Sequence, residues 1–115
     1  MKHNPRSIRL TKQQAEELET LAKQYRECAV HPSERAIRLG MYLNLCLWRL
    51  LWKTRPEIAK EFIKRVRDGL RVLESERHLG RIPSADELIS ELVRVVTVPP
   101  WLAEAIRRDF EMLQN

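Results

Sequence analysis

The spacing of the apolar residues changes its period at Thr11, and this change constrains the fold more than any other feature of the chain. Before Thr11, Ile8 and Leu10 alternate with polar residues, as in a short β-strand that carries Arg9 on its other face. After it, apolar residues recur at helical spacing, and Thr11 and Gln14 have the spacing of a capping box. A lone strand leaves its backbone groups unpaired. The sequence therefore predicts that this strand pairs with its counterpart in a second copy.

A second interpretation of the same stretch stays open. Pro5 and the basic, polar residues around it are also typical of a frayed amino terminus. In that case residues 7–10 are extended and packed on the surface of their own domain. The two interpretations differ in whether the backbone of this segment has a partner strand.

The pattern over residues 7–25 resembles the amino-terminal half of the ribbon-helix-helix family of DNA-binding proteins, of the Arc, MetJ and CopG type. The resemblance extends over about residues 5–45. In that family, strands from two subunits form an antiparallel ribbon that lies in the major groove of DNA. The resemblance implies base contacts from three residues on the outer face of the ribbon, namely Ser7, Arg9 and Thr11. It also places Ile8 and Leu10 in the dimer core.

The resemblance further implies a phosphate contact at the start of the second helix, near Ser33, where free backbone amides attract anions. The chain departs from the family pattern in two respects. The connection over residues 26–33 is long and lacks a glycine, and the minimal family fold has no counterpart of residues 56–115.

Positive charge is concentrated in the first half of the chain. The net charge is +5, and residues 1–55 carry 11 Lys or Arg against 5 Asp or Glu, whereas residues 56–115 carry 10 against 11. Such an asymmetry attracts a polyanion, and the attraction weakens as salt rises. Together with the resemblance, which implies a ribbon in the major groove, this charge leads us to expect double-stranded DNA as a partner. The expected phosphate contacts are Lys2, Arg6, Lys12, Ser33 and Arg35.

The second helix is predicted to run from Ser33 to about Lys53 and is apolar nearly all round after Leu39. A helix of this kind must be covered by other helices or by a partner subunit. Trp48 and Trp52, one turn apart, are interpreted as core or dimer contacts.

Three more helices are predicted, over residues 57–78, after a cap at Ser84, and over residues 101–113. One face of the first of these carries an apolar stripe: Ile58, Phe62, Ile63, Val66, Leu70 and Leu73. Its opposite face carries a basic row: Lys60, Lys64, Arg67 and Arg71. This row is either a second phosphate-contacting surface or the solvated back of the helix.

These patterns predict a single mainly α domain over residues 1–115, with a short amino-terminal strand followed by about five helices. Residues 5–54 would be the ribbon-helix-helix-like half of a homodimer, and residues 56–115 a helical carboxy-terminal extension. The alternative is an all-α helical bundle.

No catalytic, cofactor or metal site is expected. The sequence contains no GxGxxG or P-loop motif, its two cysteines, Cys28 and Cys46, have no CxxC spacing, and its three histidines are scattered. The apolar stretch over residues 39–52 is shorter than the roughly 20 residues that span a bilayer. No apolar segment follows Met1. We therefore expect a cytoplasmic protein without a membrane partner and without enzyme activity.

The resemblance thus implies a dimeric, sequence-specific DNA-binding protein that acts as a transcriptional repressor or as an antitoxin- or plasmid-type regulator. The alternative is an all-helical adaptor or assembly subunit without DNA readout, which meets a protein partner through its carboxy-terminal helices and tryptophans. Binding of RNA or single strands through the basic row ranks last, because interleaved exposed aromatics are missing there.

Overall fold

Five α-helices make up most of the chain. The structure is a computed structural model that describes residues 9–31, 33–76 and 82–114, and the side chains of these residues except those of residues 72–76 and 112–114. The helices are α1 (Lys12–Cys28), α2 (Glu34–Leu51), α3 (Pro56–Glu76), α4 (Ala85–Val95) and α5 (Pro100–Gln114). The described ranges contain no β-strand. The predicted mainly α class is therefore confirmed.

Two helices begin with the capping boxes that the sequence predicts. Thr11 Oγ1 accepts a hydrogen bond from the Gln14 amide at 3.0 Å, and the Gln14 side chain accepts one from the Thr11 amide at 3.0 Å. Ser84 and Glu87 repeat this arrangement at distances of 3.1 and 2.8 Å. Each box satisfies two backbone amides at a helix start. The local sequence therefore fixes where α1 and α4 begin.

α2 is the central helix of the fold. Nine of its 18 residues are buried, and Leu43, Leu47 and Leu51 are fully buried at successive turns. α3 packs along it most extensively, and α1, α4 and α5 also contact it. A fully buried leucine contributes about 1.5–3 kcal/mol to stability. The other helices of the same chain thus bury much of the apolar surface of α2.

The break between α2 and α3 is also as predicted. Pro56 is the first residue of α3, a position where its missing amide hydrogen is not needed. Arg55, in the turn, donates from Nε to Glu19 Oε1 of α1 at 3.1 Å, and its Nη2 lies 3.7 Å from Glu16 Oε2. Ion pairs of Arg55 therefore connect the turn to α1.

A buried carboxylate joins α5 to α2. Asp109 is 2 % exposed and accepts hydrogen bonds from Arg49 Nε at 3.0 and 3.2 Å and from Cys46 Sγ at 3.5 Å. Burial raises the pKa of Asp109, although the neighbouring Arg49 guanidinium acts to lower it. Burial, together with the Asp109 charge, also raises the pKa of the Cys46 thiol well above its usual value.

A second polar contact joins α1 to α4. The Tyr25 hydroxyl donates to Glu91 Oε2 at 3.0 Å, and both residues are buried. Arg94 Nη2 donates to the same Glu91 oxygen at 2.7 Å and to the Val30 carbonyl at 3.2 Å. Burial and the Glu91 charge raise the pKa of Tyr25, so this hydroxyl keeps its proton and remains a donor.

The amino-terminal strand is not supported. Arg9, Leu10 and Thr11 precede α1 without regular secondary structure, and Leu10, at 7 % exposure, packs into the hydrophobic core of its own chain. The described part of the chain offers this segment no neighbouring strand, whereas the helices offer Leu10 apolar contacts. The rest of the expected ribbon, including Ser7 and Ile8, lies outside the described residues.

Two apolar residues of the predicted helices are exposed in the single chain. Trp52, predicted to be a core or dimer contact, is 49 % exposed at the carboxyl end of α2, where the Lys53 ammonium lies 5.8 Å from its ring centroid. Leu70, expected in the buried stripe of α3, is 42 % exposed instead. Trp48, one turn before Trp52, packs partly buried against the core as predicted.

Replacing Arg49 with Met removes the cation beside Asp109 but keeps the length of the side chain. We expect the free energy of unfolding at pH 7 to fall by about 3 kcal/mol, because a buried carboxyl group loses its partner. Urea titration measures this change. The pKa of Asp109 should rise further in the variant, so the variant should lose stability as pH rises through that pKa, since its folded state binds the proton more tightly than its unfolded state.

The double variant Arg49→Met/Asp109→Asn is the control, because it removes the titrating group. Its stability should show less dependence on pH than that of Arg49→Met. Equal pH dependence in the two variants would contradict the assignment of Asp109 as the titrating group.

Candidate nucleic-acid interface

Arg9, Leu10 and Thr11 alternate in exposure. Arg9 and Thr11 are exposed, whereas Leu10 is buried. Among the described residues, Arg9 makes no hydrogen bond or ion pair. The residues expected beside it, Lys2, Arg6, Ser7 and Ile8, lie outside the described residues. The segment thus presents an uncompensated guanidinium group directly before the capped start of α1.

The hydroxyl of Thr11 already has one role. Its oxygen accepts the hydrogen bond from the Gln14 amide that caps α1. A hydroxyl group also carries one donor hydrogen, and the cap does not use it. Thr11 can therefore cap the helix and donate a hydrogen bond to an external acceptor at the same time.

The start of α2 is capped as the sequence predicts. Ser33 Oγ accepts a hydrogen bond from the Ala36 amide at 3.1 Å, and Ser33 is exposed. Arg35, with its side chain 68 % exposed, donates from Nη2 to Glu87 Oε2 of α4 at 3.2 Å. Sequence reasoning missed this partner. An anion that binds Arg35 must compete with Glu87, although an exposed ion pair is worth only about 0–1 kcal/mol.

Lys12 and Arg35 lie far apart within one chain. Lys12 is the first residue of α1, and Ser33 follows the other end of that helix after a short connection. A helix of 17 residues is about 25 Å long at 1.5 Å per residue. The two basic positions of one chain therefore cannot hold the same phosphate group.

The basic row of α3 is fully on the surface. Lys60, Lys64, Arg67 and Arg71 are all exposed. Lys60 Nζ lies 3.7 Å from Glu57 Oε1, whereas Lys64 and Arg67 have no ion pair with any described residue. The row is an exposed cationic strip, and no described contact joins it to the basic residues near the chain start.

Sequence reasoning also missed a group of polar residues between α2 and α3, which includes Asn44 and Asp68. Asn44 could have been singled out, since it interrupts the apolar stretch over residues 39–52. Asp68, on the other side of the interface between α2 and α3, is not marked by any local pattern in the sequence.

Across residues 9–31, 33–76 and 82–114, no group of three or more His, Cys, Asp or Glu residues is placed to hold a metal ion. Within those ranges no helix has both the length and the apolar character needed to cross a membrane.

Comparisons with known proteins give no match: no protein-family model, no curated protein and no solved structure is similar to this chain.

The cap at Ser33 can be tested by two substitutions with different chemistry. Ser33→Ala should lower the free energy of unfolding by about 1 kcal/mol, because the Ala36 amide loses its acceptor. Ser33→Asp keeps a side-chain acceptor at the cap and should be close to wild type. Urea titration of both variants measures the difference, and equal stability would contradict the role of this cap.

Proposed function

We propose that this chain is a dimeric, sequence-specific DNA-binding protein that acts as a transcriptional repressor or as an antitoxin- or plasmid-type regulator. The observation that carries the proposal is the alternation of exposed Arg9, buried Leu10 and exposed Thr11 directly before a capped helix. This is the pattern that the resemblance to ribbon-helix-helix proteins implies for an antiparallel ribbon in the major groove.

Arg9 is suited to base readout. Its guanidinium group makes no ion pair with the described part of the protein, so a base does not have to displace a partner among those residues. Arginine can donate two hydrogen bonds to the O6 and N7 atoms of guanine. Thr11 supplies a hydroxyl donor beside it, and Leu10 anchors the segment in the core. Ser7 is proposed as the third base contact.

Phosphate contacts are proposed at two positions on each chain. Lys12 lies at the start of α1, and Ser33 with Arg35 lies at the start of α2. Lys2 and Arg6 would add to the first position. Because the two positions lie about one length of α1 apart, one chain would hold phosphates several base pairs apart along the duplex. Such contacts position the protein, whereas Arg9 specifies the sequence.

Arg9→Ala tests base readout on a duplex selected from a random pool. We expect a loss of about 1–3 kcal/mol in binding free energy and relaxed discrimination at one base pair, measured by fluorescence anisotropy. Lys2→Ala or Lys12→Ala should weaken binding to all DNA sequences alike. Each should also reduce by about 1 the slope of the logarithm of the binding constant against the logarithm of the salt concentration.

Arg108→Ala is the matched control, since Arg108 is exposed on α5 and lies outside the proposed interface. Ser33→Asp should fold normally but lose affinity, because its carboxylate repels the phosphate expected there. Failure to bind any duplex, or equal losses for Arg9→Ala and Arg108→Ala, would refute the proposal.

The ribbon requires a second copy, and this is tested separately. No backbone hydrogen bond joins Arg9 or Leu10 to another described residue. In an antiparallel pair, alternate residues direct their amides to the partner strand. We therefore expect a dimer mass by light scattering, and slow hydrogen exchange at either Ser7 and Arg9 or Ile8 and Leu10. A monomer in which all four amides exchange rapidly would contradict the ribbon.

A second candidate function is supported by the core. Leu10 and residues from all five helices share one hydrophobic cluster within a single chain. A helical adaptor that binds a protein partner through its carboxy-terminal helices would need no second copy. Among the described residues, the exposed large apolar side chains are those of Val30, Trp52, Leu70, Ile82 and Val93. The mass and exchange measurements decide between the two functions.

A further inference from the structure

The basic row of α3 is a surface that the proposed function does not yet use. Lys60, Lys64, Arg67 and Arg71 fall within about 60° of one another at about 100° per residue, so they lie along one face of the helix. All four side chains are exposed. From Lys60 to Arg71 the row is about 16 Å long at about 1.5 Å per residue. It can therefore follow a chain of several negative charges.

The middle of the row, formed by Lys64 and Arg67, is not neutralised by the nearest acids. Glu61, three residues before Lys64, is bound by Arg26 of α1. Asp68, four residues after Lys64, has the spacing of an ion pair on a helix, yet it forms none with a described residue. Lys64 and Arg67 therefore keep their positive charge for an external partner.

Exposed cations elsewhere in the fold are often neutralised by an acid from a second helix. Arg35 of α2 pairs with Glu87 of α4, and Arg107 of α5 pairs with Asp86 of α4. The middle of the basic row has no such partner among the described residues, as is also true of Arg9. Two unpaired cations one turn apart on the same face form a surface that attracts a polyanion.

Double-stranded DNA is the polyanion that this surface suits best. A duplex carries one negative charge per about 1.7 Å of its axis and is bound through surface charge, so no enclosed pocket is needed. A membrane-binding amphipathic helix inserts its apolar face, but that face of α3 is packed within the fold through Ala59, Phe62 and Val66. Single strands stack their bases on exposed aromatics, and Phe62, the only aromatic residue of α3, is fully buried.

The row lies away from the start of α1. Arg55 Nη2, just before α3, is 3.7 Å from Glu16 Oε2 in the first half of α1. Glu61 of α3 is bound by Arg26 in the last turn of α1. α3 therefore follows α1 in the same direction, and the row begins beside the carboxyl end of α1, about 20 Å from its start. At that distance it meets phosphates that the chain start does not reach.

We propose that the basic row of α3 binds the phosphate backbone of double-stranded DNA outside the base pairs that Arg9 reads. Lys64 and Arg67 make the central contacts, and Lys60 and Arg71 extend them. The contact is independent of sequence, because phosphates carry no sequence information. This inference rests on the proposed function, which names duplex DNA as the partner, and adds a second surface to it.

The double variant Lys64→Gln/Arg67→Gln tests the row on two duplexes of about 30 base pairs, one with the selected sequence and one with an unrelated sequence. We expect the affinity for both duplexes to fall about tenfold or more at about 0.1 M salt. The slope of the logarithm of the binding constant against the logarithm of the salt concentration should fall by about 2. Discrimination between the two duplexes should stay as in the wild type. Fluorescence anisotropy measures all three quantities.

Arg65→Gln/Arg108→Gln is the matched control, because it removes two exposed charges that form no ion pair with a described residue. Arg65 stands between Lys64 and Arg67 in the sequence, but it lies about 100° round the helix from Lys64, beside the groove between α2 and α3. The control should keep most of the affinity, since salt screens charges that are not in contact with the duplex. Lys64→Arg/Arg67→Lys keeps both charges and should bind as the wild type does. Circular dichroism checks that each variant folds.

Equal losses in Lys64→Gln/Arg67→Gln and in the control variant would overturn the proposal, because net charge alone would then explain them. Unchanged affinity in Lys64→Gln/Arg67→Gln would overturn it as well. Vesicles of phosphatidylserine and phosphatidylcholine provide the membrane comparison. If the wild type binds them more tightly than either duplex, and the same double variant does not, the row is a membrane surface instead.

Arg9→Ala separates this inference from the proposed function. If Arg9→Ala relaxes discrimination between the duplexes while Lys64→Gln/Arg67→Gln binds as the wild type does, only the row is refuted. If Arg9→Ala leaves discrimination unchanged while the row variant loses affinity for both duplexes, only the sequence-specific function is refuted. Absence of binding to either duplex refutes both.

Discussion

The burial of α2 is the constraint on which the other helices depend. Its fully buried leucines, Leu43, Leu47 and Leu51, need apolar neighbours at every turn, and they share one hydrophobic cluster with residues of all the other helices. Once α3 occupies one side, the remaining helices complete the cover. Buried carboxylates then restrict how they can pack, because Glu91 must meet Tyr25, and Asp109 must meet Arg49. The hydrophobic stripe brings the helices together, and these polar contacts fix their relative positions.

Helix starts could be predicted from the sequence because they depend on near neighbours. Thr11, Ser33 and Ser84 cap the helices that they were expected to cap. Contacts between distant residues could not be predicted, since Tyr25 and Glu91 are 66 positions apart and no local pattern links them. The exposed Trp52 shows a related limit. Periodicity identifies the apolar face of a helix but does not tell whether another helix extends far enough to cover its end.

In the candidate interface, too, the sequence predicted local features and missed contacts between distant residues. Alternation of residue types predicted that Arg9 and Leu10 face opposite sides, and Arg9 is exposed and Leu10 buried, although Leu10 packs into the core of its own chain and the predicted dimer core is not tested by it. The pairing of Arg35 with Glu87 was missed, since it joins α2 to α4. The polar group at Asn44 was missed for the same reason, because its members come from separate helices. The ribbon itself depends on contacts between chains, which neither periodicity nor the fold of one chain determines.

The two thiols of the chain differ in a way that makes one of them a reporter on the fold. Cys28 is exposed at the end of α1, whereas Cys46 is buried and its pKa is raised beside Asp109. The thiolate form is the nucleophile that attacks alkylating reagents, so exposed Cys28 reacts in the folded protein while buried Cys46 is protected. Modification of Cys46 requires α2 and α5 to separate, and its rate therefore follows the opening of the central core. A label on Cys28, in contrast, leaves that core intact.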